Sequence, residues 1–159
     1  EGIEAEVVSN IIDSDEGELI KNKLSEIRNF LSNKEIKKGL EVAMSMGHFA
    51  NEYFSEQAPW AQFKEDPKQA SETIAKTGSM ILILACALRP FLPSLSQNII
   101  SLFGEVDEST INKIYQGDIS SIKEIYDKNS SPVKMPKALV PKIDDELIEK
   151  LNNELNSLK

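Results

Sequence analysis

Cysteine, histidine and tryptophan occur once each in these 159 residues, as Cys86, His48 and Trp60. A single cysteine excludes an intramolecular disulfide framework and suits a reducing compartment. It lies in the apolar run 80–88, where it reads as a small buried hydrophobe and not as a reactive thiol. One histidine and one cysteine are too few for a structural zinc site. His48 also has no nucleophile placed beside it, so an ordinary, partly buried helix position is expected for it. The seven glycines are scattered and form no phosphate-cradling loop. The apolar run is far shorter than the ~20 residues of a membrane span. The start, Glu1-Gly2-Ile3-Glu4, has no basic region of a signal peptide. A cytoplasmic chain without a membrane anchor, a metal site or catalytic activity of its own is the expectation.

What is present is ordinary globular material, 40% hydrophobic and 28% charged, enough apolar content for one packed domain. The net charge of −8 argues against strong electrostatic attraction to nucleic acid, which rests on lysine and arginine neutralising phosphates. The excess of acid sits at the front: Glu1, Glu4, Glu6, Asp13, Asp15, Glu16 and Glu18, with no base among the first 18 residues. The remainder is close to neutral.

Apolar residues then recur at helical spacing. Ile20, Leu24, Ile27 and Leu31 predict a helix over 17–32. Ile36, Leu40, Ala43, Met44, Gly47, Ala50 and Phe54 predict a second, capped by Asn33. Gly47 on that stripe signals the close approach of a neighbouring helix. Asp66-Pro67 is a helix start, with aspartate at the N-cap and proline at the first helical position. The third helix, 67–89, carries Ile74, Thr77, Gly78, Ile81, Ala85 and Leu88 and is the most apolar, so it is expected at the centre. A fourth runs from Ser94 to Phe103 and stops at Gly104. Shorter helices follow, one opened by Asp107 and closed by Gly117, and one around Ile119, Ile122 and Ile125. Residues 128–142 combine Lys128, Lys134, Lys137 and Lys142 with Pro132, Pro136 and Pro141 and no acid, an extended linker. Leu147, Ile148, Leu151, Leu155 and Leu158 predict a closing amphipathic helix. No strand-like alternation persists. The fold class is all-α, a helical bundle divided into an acidic lead-in (1–16), the bundle (17–127), the linker (128–142) and a C-terminal helix (143–159).

The most informative stretch is Ala50-Asn51-Glu52-Tyr53-Phe54-Ser55-Glu56-Gln57-Ala58-Pro59-Trp60. Pro59 should end the second helix near Gln57–Ala58, which puts Trp60 at a corner between helices. A large flat ring there either plugs the junction or offers its face to a base, where stacking is worth ~1–3 kcal/mol. Composition alone favours the plug, because tryptophan is highly buried on average.

This string, followed by Leu88-Arg89-Pro90-Phe91-Leu92-Pro93, resembles the anticodon-binding helical domain of methionyl-tRNA synthetase, a class I aminoacyl-tRNA synthetase. The resemblance covers about residues 20–158 and is densest over 36–103. It implies a bundle of the class I anticodon-binding type that recognises the CAU anticodon of tRNA(Met). Trp60 would stack on the first anticodon base and Pro59, after Ala58, would shape the turn that exposes it. Asn51 and Tyr53 match the family's N-x-Y, where hydrogen bonding within the helix packing is the expected role, and Arg89 is expected to be structural. ATP and methionine would be bound by a catalytic domain absent from this chain, which itself needs no cofactor. The C-terminal helix would pack back on the bundle or on that catalytic domain. Three departures stand out. Ser55 occupies a place where the family often has aspartate. Nothing corresponds to the family's opening helix, whose asparagine and arginine read the anticodon, so weak binding by this piece alone is the expectation. Lys134-Met135-Pro136-Lys137 lacks the serines of the family's Lys-Met-Ser-Lys-Ser loop and follows the helical domain instead of preceding it. Two other readings stay open: the anticodon domain of a sister class I synthetase, and a helical protein-interaction module with Trp60 in its core. Exposure of Trp60 separates the last from the others.

Overall fold

The computed structural model describes residues 11–128 and Asn153. Most of the expected linker and the closing helix lie outside the described residues, as do residues 1–10. The described chain is helical throughout: α1 Asp15–Ser32, α2 Ile36–Gln57, α3 Pro59–Glu65, α4 Pro67–Leu88, α5 Pro93–Ile100, α6 Glu108–Tyr115 and α7 Ile122–Lys128, with short 3-10 turns at Ser101–Phe103 and Ile119–Ser121. No strand occurs among the described residues.

Helix α1 opens two residues earlier than its apolar spacing indicates. Ser14 is the cap: its Oγ accepts from the Gly17 N–H and donates to the Ile11 carbonyl at 2.9 Å. Asp15, Glu16 and Glu18 then lie in the first turn, where negative charge meets the positive end of the helix dipole. Gly17 is demanded by packing, since a Cβ there would stand 2.0 Å from the Ile11 carbonyl oxygen. Asn33 does not cap α2. It closes α1, with its backbone N–H and side-chain amide both donating to the Asn29 carbonyl. Lys34 then turns through a left-handed conformation (φ 62°) and α2 starts at Ile36.

The rotational setting of α2 also differs from its apolar stripe. Gly39, Ala43, Met46 and Ala50 are buried, whereas Ile36 and Met44 are exposed. Small side chains decide the setting because they let partners come close. The Phe91 ring lies 3.1 Å from where a Gly39 Cβ would be, and Leu84 lies 3.3 Å from the corresponding point on Gly47. The expected close approach at Gly47 is therefore made by α4.

Helix α4 is central. It packs against α2, α3, α5 and α6, and twelve of its residues are buried, from Ala70 to Leu88. Asp66 caps it, accepting from the Lys68 and Gln69 N–H groups. Of the residues expected on its inward side, Ile74 and Ile81 are instead exposed. They stand seven residues apart, about two turns along α4. This helix is long and apolar enough to cross a membrane by length and composition, but 61% of that window is buried inside the bundle. Its polar residues are satisfied locally: the Thr77 and Ser79 hydroxyls donate to carbonyls four residues back, and Ser96 of α5 donates to the Ala85 carbonyl at 2.7 Å. No buried side-chain polar atom among the described residues lacks a hydrogen-bond partner. Cys86 is buried, and burial pushes its thiol up to about 12.

Candidate nucleic-acid interface

The corner at Trp60 is made by one residue. Ala58 ends α2 and starts α3 at once, in a left-handed conformation with φ 44° and ψ 60°. Its N–H donates to the Phe54 carbonyl, and its own carbonyl accepts from the Ala61 and Gln62 N–H groups. For a residue with a Cβ this conformation costs about 1–2 kcal/mol. Pro59 makes the abrupt start possible: at the first helical position its missing N–H is no loss and its φ suits the helix. It is buried, so the proline, not the tryptophan, fills the junction.

Trp60 is 60% exposed, which overturns the expectation of a core plug and with it the interaction module built around a buried ring. The indole is not loose, however. Phe54 meets it in an edge-to-face contact with ring centroids 5.8 Å apart and planes at 66°, so one side is supported and the rest faces solvent. The next turn of α3 carries Phe63, 65% exposed. Positions three apart are surface neighbours on a helix, so two open aromatic rings share one side of a seven-residue helix. Phe63 escaped the sequence reading, although its spacing from Trp60 was the available signal. Gln62, on the inner side, anchors α3: its Oε1 accepts from Thr73 Oγ1 of α4 at 2.9 Å, and its Nε2 donates to Gln57 Oε1 of α2 at 3.4 Å.

Asn51 is exposed on α2 and not engaged in helix packing as expected. Its backbone carbonyl accepts from Ser55 Oγ. It is three positions before Phe54, whose ring touches Trp60, so the amide stands in the neighbourhood of the corner. Tyr53 points the other way, half-buried beneath Lys76, whose ammonium lies 5.2 Å from the ring centroid. Lys76 in turn pairs with Glu16 of α1 at 2.9 Å. Burial, then the Glu16 charge, raise the Tyr53 hydroxyl above its ordinary value. Arg89 is structural: both terminal guanidinium nitrogens engage the Glu108 carboxylate and join the end of α4 to α6. His48 is exposed, not partly buried, because the buried side of α2 runs through Met46 and Ala50.

Among the described residues the rim of the corner is not basic. Lys64 and Lys68 are there, but so are Glu52, Glu56, Glu65 and Asp66, and Lys68 is shared with Glu72 across one helical turn at 3.9 Å. Phosphate attraction therefore contributes little at this corner. What it offers is aromatic face and an amide edge, the groups that engage unpaired bases.

Over residues 11–158 the chain matches the family model for the anticodon binding domain of methionyl tRNA ligase. It is 28% identical to a probable methionine–tRNA ligase of Oryza sativa subsp. japonica over 123 residues, covering 76% of this chain and 15% of that protein. To the methionine–tRNA ligase of Methanopyrus kandleri it is 26% identical over 147 residues, 92% of this chain and 20% of the relative. A shorter stretch of 74 residues, 46% of the chain, is 36% identical to 11% of the methionine–tRNA ligase of Bdellovibrio bacteriovorus. The chain thus spans about a fifth or less of the length of these relatives. No solved structure matches it.

Proposed function

The chain belongs to the family of anticodon-binding domains of methionyl-tRNA ligase, and we propose that its corner at Ala58-Pro59-Trp60 reads the CAU anticodon loop of tRNA(Met) on behalf of a longer ligase. The observation that carries this reading is the open indole of Trp60, held on a hydrogen-bonded corner and supported from one side by Phe54. A ring fixed before the RNA arrives loses little freedom on binding, so more of the stacking energy remains as affinity.

On this reading the first anticodon base leaves the loop stack and lies on the indole. The exposed amide of Asn51, with both donor and acceptor atoms, serves the edge of a splayed base. Pro59 and Ala58 act by holding the corner and make no base contact of their own. Aminoacylation, with ATP and methionine as substrates, is the work of a catalytic domain of the parent protein. This chain supplies recognition and needs no cofactor for it. Because the rim is not basic, long-range attraction of the tRNA falls to other surfaces of the parent.

Trp60 is the sole tryptophan, so its fluorescence reports the site directly. Titration with a CAU anticodon stem-loop at low salt should quench the emission, while a scrambled loop should not. An emission unchanged by the CAU loop, or quenched equally by both loops, would overturn the proposal.

A further inference from the structure

We propose that Phe63 is a second base-stacking residue of this corner, taking a nucleotide that adjoins the one on Trp60. The inference rests on the anticodon-reading function proposed above and extends its site by one residue.

Three observations lead to it. First, Phe63 takes no part in the hydrophobic core of the described residues. It is 65% exposed, more open than Trp60 itself, while Pro59 is the buried residue of α3 and Gln62 makes the bonds to α2 and α4. Second, its position relative to Trp60 is fixed by the helix. Residues three apart have Cβ atoms about 5–6 Å from one another on the same side, which is the scale on which neighbouring nucleotides of a splayed strand present their bases. The ring against Trp60 is Phe54, on the α2 side, which leaves the outward side of α3 open to both exposed rings. Third, the corner is poor in positive charge. With Glu52, Glu56, Glu65 and Asp66 around Lys64 and Lys68, counterion release contributes little. Affinity at this place must come from aromatic area, and a second ring adds to it. The occupant that fits two adjacent open rings within an acidic rim is an unpaired loop base, whose face is apolar and whose phosphate can stay in solvent.

The test uses the full chain and three RNA loops: the CAU stem-loop, and the same loop made abasic on either side of the base that Trp60 takes. Phe63→Leu removes the ring and keeps apolar bulk at an exposed position, and Phe63→Tyr restores the ring. Affinities are read from Trp60 quenching, with circular dichroism melting of each variant alongside. Phe63→Leu should weaken binding to the intact loop by about fivefold to a hundredfold. It should make no difference to one of the abasic loops, and Phe63→Tyr should bind as the parent does. Equal weakening toward the intact loop and both abasic loops, or no weakening at all, would overturn the role of Phe63 while leaving Trp60 in place. Absence of CAU-specific quenching in the unsubstituted chain would instead overturn the anticodon reading itself, and this inference with it.

Discussion

Thr73 Oγ1 donates to Gln62 Oε1 at 2.9 Å, and through this bond the central helix holds the short helix that carries Trp60. Thr73 is buried and its partner half-buried, so the bond is shielded from water. It also fixes which way α3 rolls. Turning Gln62 inward, toward Thr73 and Gln57, leaves Phe63 on the outward side and Trp60 at the corner.

Gln62→Leu should therefore affect the site more than the fold. Two hydrogen bonds are lost, the short one to Thr73 and the longer one to Gln57, at about 0.5–1.5 kcal/mol for a typical bond, and the Thr73 hydroxyl can turn to a carbonyl of its own helix as Thr77 does. The urea midpoint should fall modestly. Fluorescence anisotropy of Trp60 should drop clearly, because α3 is then tied to its neighbours by packing alone. Unchanged anisotropy would show that Pro59 suffices to hold the corner.

Ala58 adopts φ 44° without being glycine. In Ala58→Gly the relief of left-handed strain, about 1–2 kcal/mol, is opposed by the extra freedom glycine gives the unfolded chain, about 0.4–1 kcal/mol. A stability change near zero, or a gain of up to about 1.6 kcal/mol, is expected in urea denaturation. Ala58→Val is expected to lose more than about 1 kcal/mol, since a β-branched residue fits this conformation poorly. A large loss on Ala58→Gly would show that the methyl group is needed for packing.

The Glu16–Lys76 pair joins α1 to α4 at 2.9 Å with both side chains mostly buried. Burial pushes the Glu16 carboxyl up, but the Lys76 hydrogen bond, its own backbone, Ser14 and the Lys76 charge together hold it below its ordinary 4.5. A carboxyl lowered in the folded state stabilises above its unfolded value, and that contribution is lost as pH falls through the folded value. Glu16→Gln should therefore be less stable than the parent at pH 7, and the gap should close as pH falls below the ordinary 4.5 and through the lower folded value. Urea midpoints across pH 3–7 would measure the difference, and a constant gap would show that the pair contributes through packing and not charge.

The sequence announced several of its helix boundaries through local chemistry, though not the Ser14 cap of α1. Asp66 with Pro67, Gly104 at φ 110° and Gly117 at φ 102° act as stops and starts independently of the rest of the chain. The facing of α2 and α4 was less legible. Ile36, Met44, Ile74 and Ile81 are large apolar residues that a periodicity argument selects, yet Gly39 and Ala70, which it passes over, take buried positions, because contact distance between helices depends on small side chains that carry little hydropathy. Asn33 was ambiguous for a related reason: an asparagine between two helices can close the first or open the second, and only the left-handed Lys34 after it decides. At the site, Trp60 was legible as a residue on a corner. Its exposure was not, because that depends on Pro59 filling the junction in its place.

Trp60→Ala separates a recognition ring from a structural one more sharply than any other substitution. A packed tryptophan loses about 3–5 kcal/mol on truncation to alanine. Here the ring is 60% exposed and its ring partner is Phe54, so the cost is one edge-to-face contact, about 0.5–1.5 kcal/mol, plus a fraction of side-chain burial. Stability should fall by no more than about 2 kcal/mol in urea denaturation. Binding of a labelled CAU stem-loop, which no longer depends on tryptophan emission for its readout, should weaken at least about fivefold. A stability loss above about 3 kcal/mol would mean that the indole is packed in solution and that Phe54 and Pro59 do not by themselves close the junction. A small stability loss with unchanged RNA affinity would mean that the open face of the ring is not where the anticodon is read.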